Sequence, residues 1–291
     1  MVVGSSNTDL VITGERLPKP GETLLGGEFK QFPGGKGANQ AVAAARAGAR
    51  VAFIGRCGAD AYGVATCLRL HREGINLSFF IEDKSRSSGV ALIMMGGQEK
   101  ENLIVVAKSA NDGVCRADVE AAADTIRLAG AVVAQLEIPL DAVEAAADLA
   151  AAARIPFVLN PAPARELPET LLAKVDILVP NRGELCLLGG EAKVDDAAGN
   201  LLQRGCRQIV VTLGGQGVRI YSAEGRKDIP AVRVAAVDTV GAGDCFTAWL
   251  AVGVAEGLSL EESVRRAVKA AAISVTRHGA QPSMPKRSEI V

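Results

Sequence analysis

The sequence predicts an α/β protein of three layers (α/β/α), with a mostly parallel central sheet and a small β-sheet lid. From Cys115 onward, helix-like and strand-like segments alternate, which is typical of right-handed crossovers in a parallel sheet covered on both faces. Two earlier segments, at about 10–31 and 79–106, show only the short apolar–polar alternation of strands. We therefore expect a single domain over residues 1–291 in which these two segments form the lid.

The first half of the chain combines predicted strands with two helices. Asp60 is expected to cap the second helix, and Gly48 and Gly74 are expected to end the two helices. In order, the predicted elements are a strand at 1–4, a polar turn at 5–9, short strands near 10–13 and 23–29, a helix at 37–48, a strand at 51–54, a helix at 60–73, and strands at 89–95 and 102–106.

The second half predicts the bulk of the parallel sheet. Its elements are a helix at 116–129, a strand at 132–135, a helix at 140–153, strands at 157–159 and 177–179, a helix, a strand at 209–213, a strand at 232–237 and an apolar helix at 248–254. Ligands bind at the carboxyl ends of the strands in such sheets. Polar residues follow these ends at Asn7, Asp9, Glu137, Asn160, Asn181, Asp238 and Asp244. One shared site is therefore expected.

Composition narrows the class of protein. The chain has 32 basic and 33 acidic residues and a net charge of −1, so neither nucleic acid nor an anionic membrane is expected as a partner. No apolar run reaches the roughly 18 residues of a membrane span, and no signal peptide is evident at the N-terminus. The six cysteines contain no C-x-x-C pair. We expect reduced thiols in a cytoplasmic protein.

The run Gly241-Ala242-Gly243 precedes an apolar helix and resembles an anion site. Helix starts leave N–H groups unpaired and carry partial positive charge, and glycine lets an anion approach the backbone. Asp244 follows in the first turn of the helix. It could simply stabilise the helix dipole, or it could accept a proton from an attacking hydroxyl. The dinucleotide fingerprint fails at Phe246, and the P-loop pattern fails around Gly35-Lys36.

Two long motifs resemble those of the ribokinase-like (PfkB) carbohydrate kinases. Residues 238–244, DTVGAGD, are similar to the family's D-T-x-G-A-G-D, and residues 34–40, GGKGANQ, match its N-terminal motif. Residues 160–165 and 280–283 are similar to the members that phosphorylate ribose. The resemblance implies ATP-dependent phosphorylation of the 5-hydroxyl of D-ribose, with Asp244 as general base and an anion hole at 241–244. Another sugar or nucleoside kinase and a non-catalytic sugar-binding protein stay open as alternatives.

The resemblance also implies a set of sugar contacts at one end of the site. Carboxylates and amides suit sugar hydroxyls, because carboxylates accept hydrogen bonds and amides both donate and accept them. The substrate-binding residues implied are Asn7, Asp9, Gly35, Lys36, Gly37, Asn39, Glu137 and Asp244. Lys36 could contact a phosphate or could be a solvated lysine.

ATP and Mg²⁺ are expected at the other end. Residues 181–184 read N-x-x-E, which is typical of a helix capping box and, in the family, also helps to place Mg²⁺ through water. Residues 212–217, TLGGQG, could be a glycine-rich hairpin, and the resemblance implies that they lie along the nucleotide. The implied ATP contacts are Asn181, Thr212, Gly214, Gly217 and Gly243, and Mg²⁺ would be held through Asn181 and Glu184. Val268 stands where ribose kinases often carry Asn or His near the adenine.

The resemblance further implies a monovalent cation and a dimer. A K⁺ ion would be ringed, mostly by carbonyl groups, by Asp238, Val240, Ser274, Arg277, Gly279 and Ser283. The alternative is that Asp238 pairs with Arg277 and nothing binds. In many members of the family the lid also joins two subunits, so a homodimer through the lid is expected.

Overall fold

The computed structural model describes residues 1–97 and 101–290. Among them, thirteen strands form two sheets. The strands are β1 (Val2–Val3), β2 (Asn7–Thr13), β3 (Glu28–Gly34), β4 (Ala52–Gly58), β5 (Asn76–Asp83), β6 (Gly89–Gly96), β7 (Glu101–Ala107), β8 (Val132–Ala134), β9 (Phe157–Leu159), β10 (Ile177–Leu178), β11 (Gln208–Thr212), β12 (Val218–Ser222) and β13 (Gly225–Ile229).

The larger sheet has nine strands in the order β13-β12-β11-β10-β9-β8-β1-β4-β5. Its pairings are parallel from β11 through to β5, and β12 and β13 continue the sheet as an antiparallel hairpin. This arrangement confirms the predicted mostly parallel central sheet.

Helices cover both faces of the larger sheet. They are α1 (Lys36–Arg46), α2 (Ala61–Arg72), α3 (Arg116–Glu120), α4 (Ala123–Arg127), α5 (Leu140–Ala153), α6 (Glu169–Leu172), α7 (Arg182–Gly189), α8 (Val194–Gln203), α9 (Ala242–Ala255) and α10 (Leu260–Ser274). Alternate strand residues face opposite layers: Val132 and Ala134 pack with α5, whereas Val133 packs with α1 and α9. The three-layer prediction is therefore confirmed.

The smaller sheet is the lid, with the strand order β3-β2-β6-β7. It joins the central sheet where β1 passes into β2 after only three residues, Gly4 to Ser6. Strand β7 is exposed along its whole length, including Leu103, Ile104 and Val105. The lid therefore presents an apolar strand to solvent, while its other end enters the interior at Asn7 and Thr8.

Several predicted boundaries are wrong. Residues 7–9 belong to β2 and are not a turn, and the predicted strand at 23–29 is replaced by β3. The second lid segment starts at Gly89, because residues 79–83 pair with β4 in the central sheet. Residues 98–100 of that segment lie outside the described residues. The predicted helix 116–129 is divided into α3 and α4.

The predicted strand at 232–237 is also wrong. These residues form no strand. Their backbone makes one hydrogen bond, from the N–H of Val237 to the carbonyl of Val275. Val232, Val234 and Val237 are about half exposed. A β-branched sequence forms a strand only where a neighbouring strand can pair with it.

Within residues 1–97 and 101–290, no helix has both the length and the apolar character that crossing a membrane requires.

Candidate active site

The N-terminus of α9 carries the predicted anion site. Its N-cap, Gly241, has φ 74°, and a Cβ there would lie 2.8 Å from the Cβ of Ala280. Both the backbone conformation and the close approach therefore require glycine. The N–H of Ala242 donates to Thr239, 3.2 Å away. Among the described residues no acceptor faces the N–H groups of Gly243 and Asp244, so these groups can receive an anion.

The carboxylate of Asp244 is buried beside these amides. Its Oδ2 accepts a hydrogen bond from Asn39 Nδ2 at 2.9 Å, and its Oδ1 accepts one from Gln40 Nε2 at 3.0 Å. Burial raises the pKa of Asp244, while Lys36 and the two amides oppose that increase. A raised pKa makes a carboxylate a stronger proton acceptor. Asp244 is therefore a buried, hydrogen-bonded carboxylate and not an exposed charge at the helix start, and its role as a base stays a prediction.

Glu137 lies at the carboxyl end of β8 and ties three segments together. Its Oε2 accepts from Ser5 Oγ at 2.5 Å and from the N–H of Lys36 at 3.0 Å. Burial lowers the pKa of Lys36, but Asp244, Glu137 and Glu184 together raise it above its usual value. Lys36 is half-buried, and both the phosphate contact and the solvated lysine stay open. Contact with a phosphate stays a prediction.

The lid strand β2 supplies the predicted residues Asn7 and Asp9. Burial, Glu137 and Asp244 raise the pKa of Asp9 to about 6. Asn7 Oδ1 accepts from Asn111 Nδ2 at 2.7 Å. Sequence reasoning missed Asn111, which fixes the Asn7 amide from a distant part of the chain.

Two glycines allow β2 and α1 to approach each other. Gly35, the N-cap of α1, has φ 85°, and a Cβ there would lie 2.6 Å from the backbone nitrogen of Asn7. A Cβ on Gly37 would lie 2.6 Å from the Gly4 and Ser5 backbone. Because backbone atoms cannot move aside as a flexible side chain can, both positions require glycine. The predicted sugar residues therefore lie close together beside the α9 N-terminus, and we call this region and the cavity on the other side of that N-terminus the two ends of the cleft.

A cavity of about 570 Å³ lies on the other side of the α9 N-terminus. Four of the five predicted ATP contacts line it, namely Thr212, Gly214, Gly217 and Gly243. Its opposite wall comes from α10 and includes Val268 and Ala271. The segment predicted as a strand forms another wall through residues 231–234. The irregular backbone of that segment thus faces the cavity.

Asn181 and Glu184 form the predicted capping box. Asn181 Oδ1 accepts from the N–H of Glu184 at 2.9 Å, and Glu184 Oε2 accepts from the N–H of Asn181 at 2.8 Å. Asn181 also pairs with Thr212 of the cavity wall. Burial raises the pKa of Glu184, Asp244 contributes to the increase, and Lys36 opposes it. Glu184 therefore lies between the two ends of the cleft.

These residues fit Mg²⁺ that is held mainly by water and phosphate. The described part of the chain contains no group of three or more His, Cys, Asp or Glu side chains arranged to bind a metal. Mg²⁺ keeps several waters and is commonly bound through one or two carboxylates plus substrate phosphates. Glu184, between Lys36 and Asp244, can provide such a carboxylate.

Two of the predicted K⁺ residues, Val240 and Gly279, contact Asp238. Its Oδ1 accepts from the N–H of Val240 at 3.0 Å, and its Oδ2 accepts from the N–H of Gly279 at 2.8 Å. Arg277 pairs with Glu289, so the expected alternative of an Asp238–Arg277 pair is wrong. Ser274, the last residue of α10, and Ser283 are both buried. Carboxylate, hydroxyl and carbonyl oxygens are suitable ligands for a hard cation.

Comparison with known proteins gives one consistent family. A model of the pfkB family of carbohydrate kinases matches residues 1–287. The chain is 42% identical to the ribokinase of Bacillus subtilis, over 99% of this chain and 97% of that protein. It is 37% identical to the deoxyribokinase of Salmonella typhi, over 98% and 94% of the two chains. It also resembles the structure of Arabidopsis thaliana ribokinase complexed with ribose and ATP, with a TM-score of 0.92, 34% identity, and coverage of 99% and 96%.

Proposed function

The chain belongs to the pfkB family of carbohydrate kinases, and we propose that it is a ribokinase, which transfers the γ-phosphoryl group of ATP to the 5-hydroxyl of D-ribose. One observation carries the proposal: the buried Asp244 carboxylate lies beside unpaired N–H groups of the α9 N-terminus. The curated ribokinase at 42% identity supports ribose as the acceptor.

In the proposed reaction, Asp244 accepts the proton of the ribose hydroxyl as its oxygen attacks the γ-phosphorus. The N–H groups of Gly243 and Asp244, together with that of Gly241, would hold the charge that develops on the transferred phosphoryl oxygens. The predicted contribution of Ala242 is limited, because its N–H already donates to the carbonyl of Thr239. Catalysis of this kind depends on positioning and electrostatics more than on covalent chemistry. Lys36 adds a positive charge close to the same oxygens.

Ribose would lie between the lid and α1. We assign its hydroxyl contacts to Asn7, Asp9, Gly35, Asn39 and Glu137, with Gly37 keeping the backbone close. A site that pairs each hydroxyl rejects analogues that lack one, because the unmatched polar groups stay buried without a partner. Asp9, with a pKa of about 6, gains a hydrogen-bond donor when ribose binds.

ATP would occupy the 570 Å³ cavity, with its phosphates toward Gly243. Asn181 and Glu184 would hold Mg²⁺ through water, and Mg²⁺ would neutralise phosphate charge. K⁺ would bind at Asp238, Val240, Ser274, Arg277, Gly279 and Ser283, where it would stiffen the loop before α9. The contact of Gly241 with Ala280 supports this link, because it joins the loop to the segment that carries Gly279.

The exposed lid supports the proposal of a homodimer. Val105 is 68% exposed and Ile104 is 54% exposed on the edge strand β7. Apolar edge strands of this kind are usually covered by another part of a protein.

We expect Val105→Lys to shift the protein toward monomer in analytical ultracentrifugation. Leu128→Lys, at an 88% exposed site outside the lid, is the matched control. Equal masses for wild type and both variants would contradict the lid interface.

The proposed reaction is tested by coupled measurement of ADP release. The acceptors are D-ribose, 2-deoxyribose, fructose and adenosine, each with and without Mg²⁺ and K⁺. We expect ribose to give the highest kcat/KM, with loss of turnover without Mg²⁺ and a reduced rate without K⁺. ADP release with ribose excludes a non-catalytic sugar-binding protein, and no release with any acceptor would refute the kinase.

The second candidate is a deoxyribokinase, which the relative from Salmonella typhi favours. The same acceptor panel distinguishes it, because a kcat/KM for 2-deoxyribose above that for ribose would reassign the substrate.

For the compartment we propose the cytoplasm. Six free cysteines support a reducing environment, namely Cys57, Cys67, Cys115, Cys186, Cys206 and Cys245.

A further inference from the structure

Five buried amide side chains form two short hydrogen-bond chains, each of which ends on the carboxylate of Asp244. The first chain passes through Gln40, which is fully buried on α1. Gln40 Nε2 donates to Asp244 Oδ1 at 3.0 Å and to Asn160 Oδ1 at 3.2 Å. Gln40 Oε1 accepts from Gln135 Nε2 at 2.6 Å. An ionised carboxylate only accepts hydrogen bonds, so the nitrogen of Gln40 faces Asp244 and its oxygen faces Gln135.

The second chain reaches the other carboxylate oxygen. Asn39 Nδ2 donates to Asp244 Oδ2 at 2.9 Å, and Asn39 Oδ1 accepts from Gln281 Nε2 at 3.1 Å. Gln281 is 2% exposed, and its backbone carbonyl accepts from Arg46 Nη1 at 2.6 Å. Asn39 thus donates to Asp244 through its nitrogen while its oxygen accepts from Gln281.

We infer that Gln40 and Gln281 are positioning residues, which hold the Asp244 carboxylate in one orientation for proton transfer. The inference rests on the proposed kinase activity of the same site. Neither glutamine is assigned a contact with ribose, ATP or a metal ion. Gln40 acts directly on Asp244, whereas Gln281 acts through Asn39.

The position of Gln281 links the second hydrogen-bond chain to the candidate K⁺ loop. Gln281 lies between Gly279 and Ser283 of the candidate K⁺ loop, and the neighbouring Ala280 packs against Gly241 of the anion site. The segment from 279 to 283 therefore contacts both the amides that would receive phosphate and, through Asn39, the carboxylate that would accept the proton. A shift of this segment would alter both groups together.

The test compares Gln40→Met and Gln281→Met, which keep the side-chain length and remove the amide. We expect kcat for ribose to fall about 10- to 100-fold for Gln40→Met and about 3- to 10-fold for Gln281→Met. The dissociation constant of ribose, measured by calorimetry, is expected to change less than about threefold for Gln40→Met. Asn200→Leu is the control, because it removes an amide that donates to Gly189 far from the cleft, and it should keep wild-type kcat.

The pH profile separates positioning from a general loss of stability. Lys36, Glu137, Asp9 and Glu184 are the charged groups that act on Asp244 or neighbour it, and both variants leave them in place. Loss of the Gln40 donor raises the pKa of Asp244, so the acidic limb of kcat/KM should move to higher pH. If Gln40→Met does not fold, Gln40→Asn, which keeps an amide but shortens the side chain, should show the same shift.

A double-mutant cycle gives the decisive outcome. In an Asp244→Asn background the further loss caused by Gln40→Met or Gln281→Met should disappear, because the group that they position is gone. Wild-type kcat and an unmoved acidic limb in Gln40→Met would overturn the inference, as would an undiminished loss in the Asp244→Asn background. Absence of ribose phosphorylation by the wild type would instead overturn the proposed function.

Discussion

The two ends of the cleft consist of different kinds of residue. The sugar end consists of buried polar side chains that bond to one another, with Asp244 held by Asn39 and Gln40 and Glu137 held by Ser5. The nucleotide end is a cavity of about 570 Å³ with walls of glycine and small apolar residues. The difference indicates that side-chain hydrogen bonds would select the sugar, whereas backbone and shape would hold the nucleotide.

The glycines of the two ends show the same contrast. At the sugar end, a Cβ on Gly35 would strike the Asn7 backbone at 2.6 Å. At the nucleotide end, a Cβ on Gly243 or Gly215 would have no atom within 4 Å. Gly35 is therefore required by the fold itself. Gly243 and Gly215 instead leave open space, which a bound phosphate would need.

The largest expected effect is at the sugar end. Asp244→Asn should reduce kcat by about 10²–10⁴-fold, because a positioned base contributes that much to proton transfer. Asn is nearly isosteric, so ribose binding measured by calorimetry should persist. Near-normal turnover of the variant would remove Asp244 from the role of base.

A smaller effect is expected at the nucleotide end. Gly243→Ala places a methyl group in open space in the first turn of α9, so it should preserve or raise stability by roughly 0.5–1 kcal/mol. The same methyl would displace the phosphates, and kcat/KM for ATP should fall roughly 10- to 100-fold.

Gly199→Ala is the matched control for Gly243→Ala. Gly199 lies in α8, and a Cβ there also has no atom within 4 Å, but the position is outside the cleft. It should give the same gain in thermal stability without loss of activity. Equal ATP kinetics for the two variants would show that Gly243 does not face the phosphates.

The smallest expected effect concerns Asp9 and depends on pH. Burial raises its pKa from 3.8 to about 6 in the folded protein, so between these values the folded state binds more protons than the unfolded state. Stability therefore falls as pH rises through this window, and the full cost is present above pH 6. Asp9→Asn should raise stability at pH 8 by roughly 1–2 kcal/mol, allowing for solvent screening.

The gain from Asp9→Asn should shrink as pH falls and should vanish only well below pH 3.8, where Asp9 is protonated in both the folded and the unfolded state. Thermal unfolding across this range measures it. The same variant should raise the KM for ribose. A gain that does not vary with pH would mean that ionisation of Asp9 is not its cause.

The segments that the sequence predicted best are those with a local cause. Helix α5 and strand β9 have the predicted boundaries, and Asp60 caps α2 through the N–H of Gly63. Residues 232–237 were predicted wrongly, because their β-branched pattern does not say whether a partner strand is present. Strand β5 was placed in the lid for the same reason, since alternation does not reveal which sheet a strand joins.

The sequence alone determined the family motifs, the α/β alternation and the identity of the predicted site residues, because these depend on residue types at short spacing. Only the tertiary structure decided that Gln40, Gln135 and Gln281 stand behind Asp244, since their contacts span up to 242 positions along the chain. It also decided that Arg277 pairs with Glu289 and leaves Asp238 to the backbone. Hydrogen bonds between distant segments follow from packing, which no local pattern encodes.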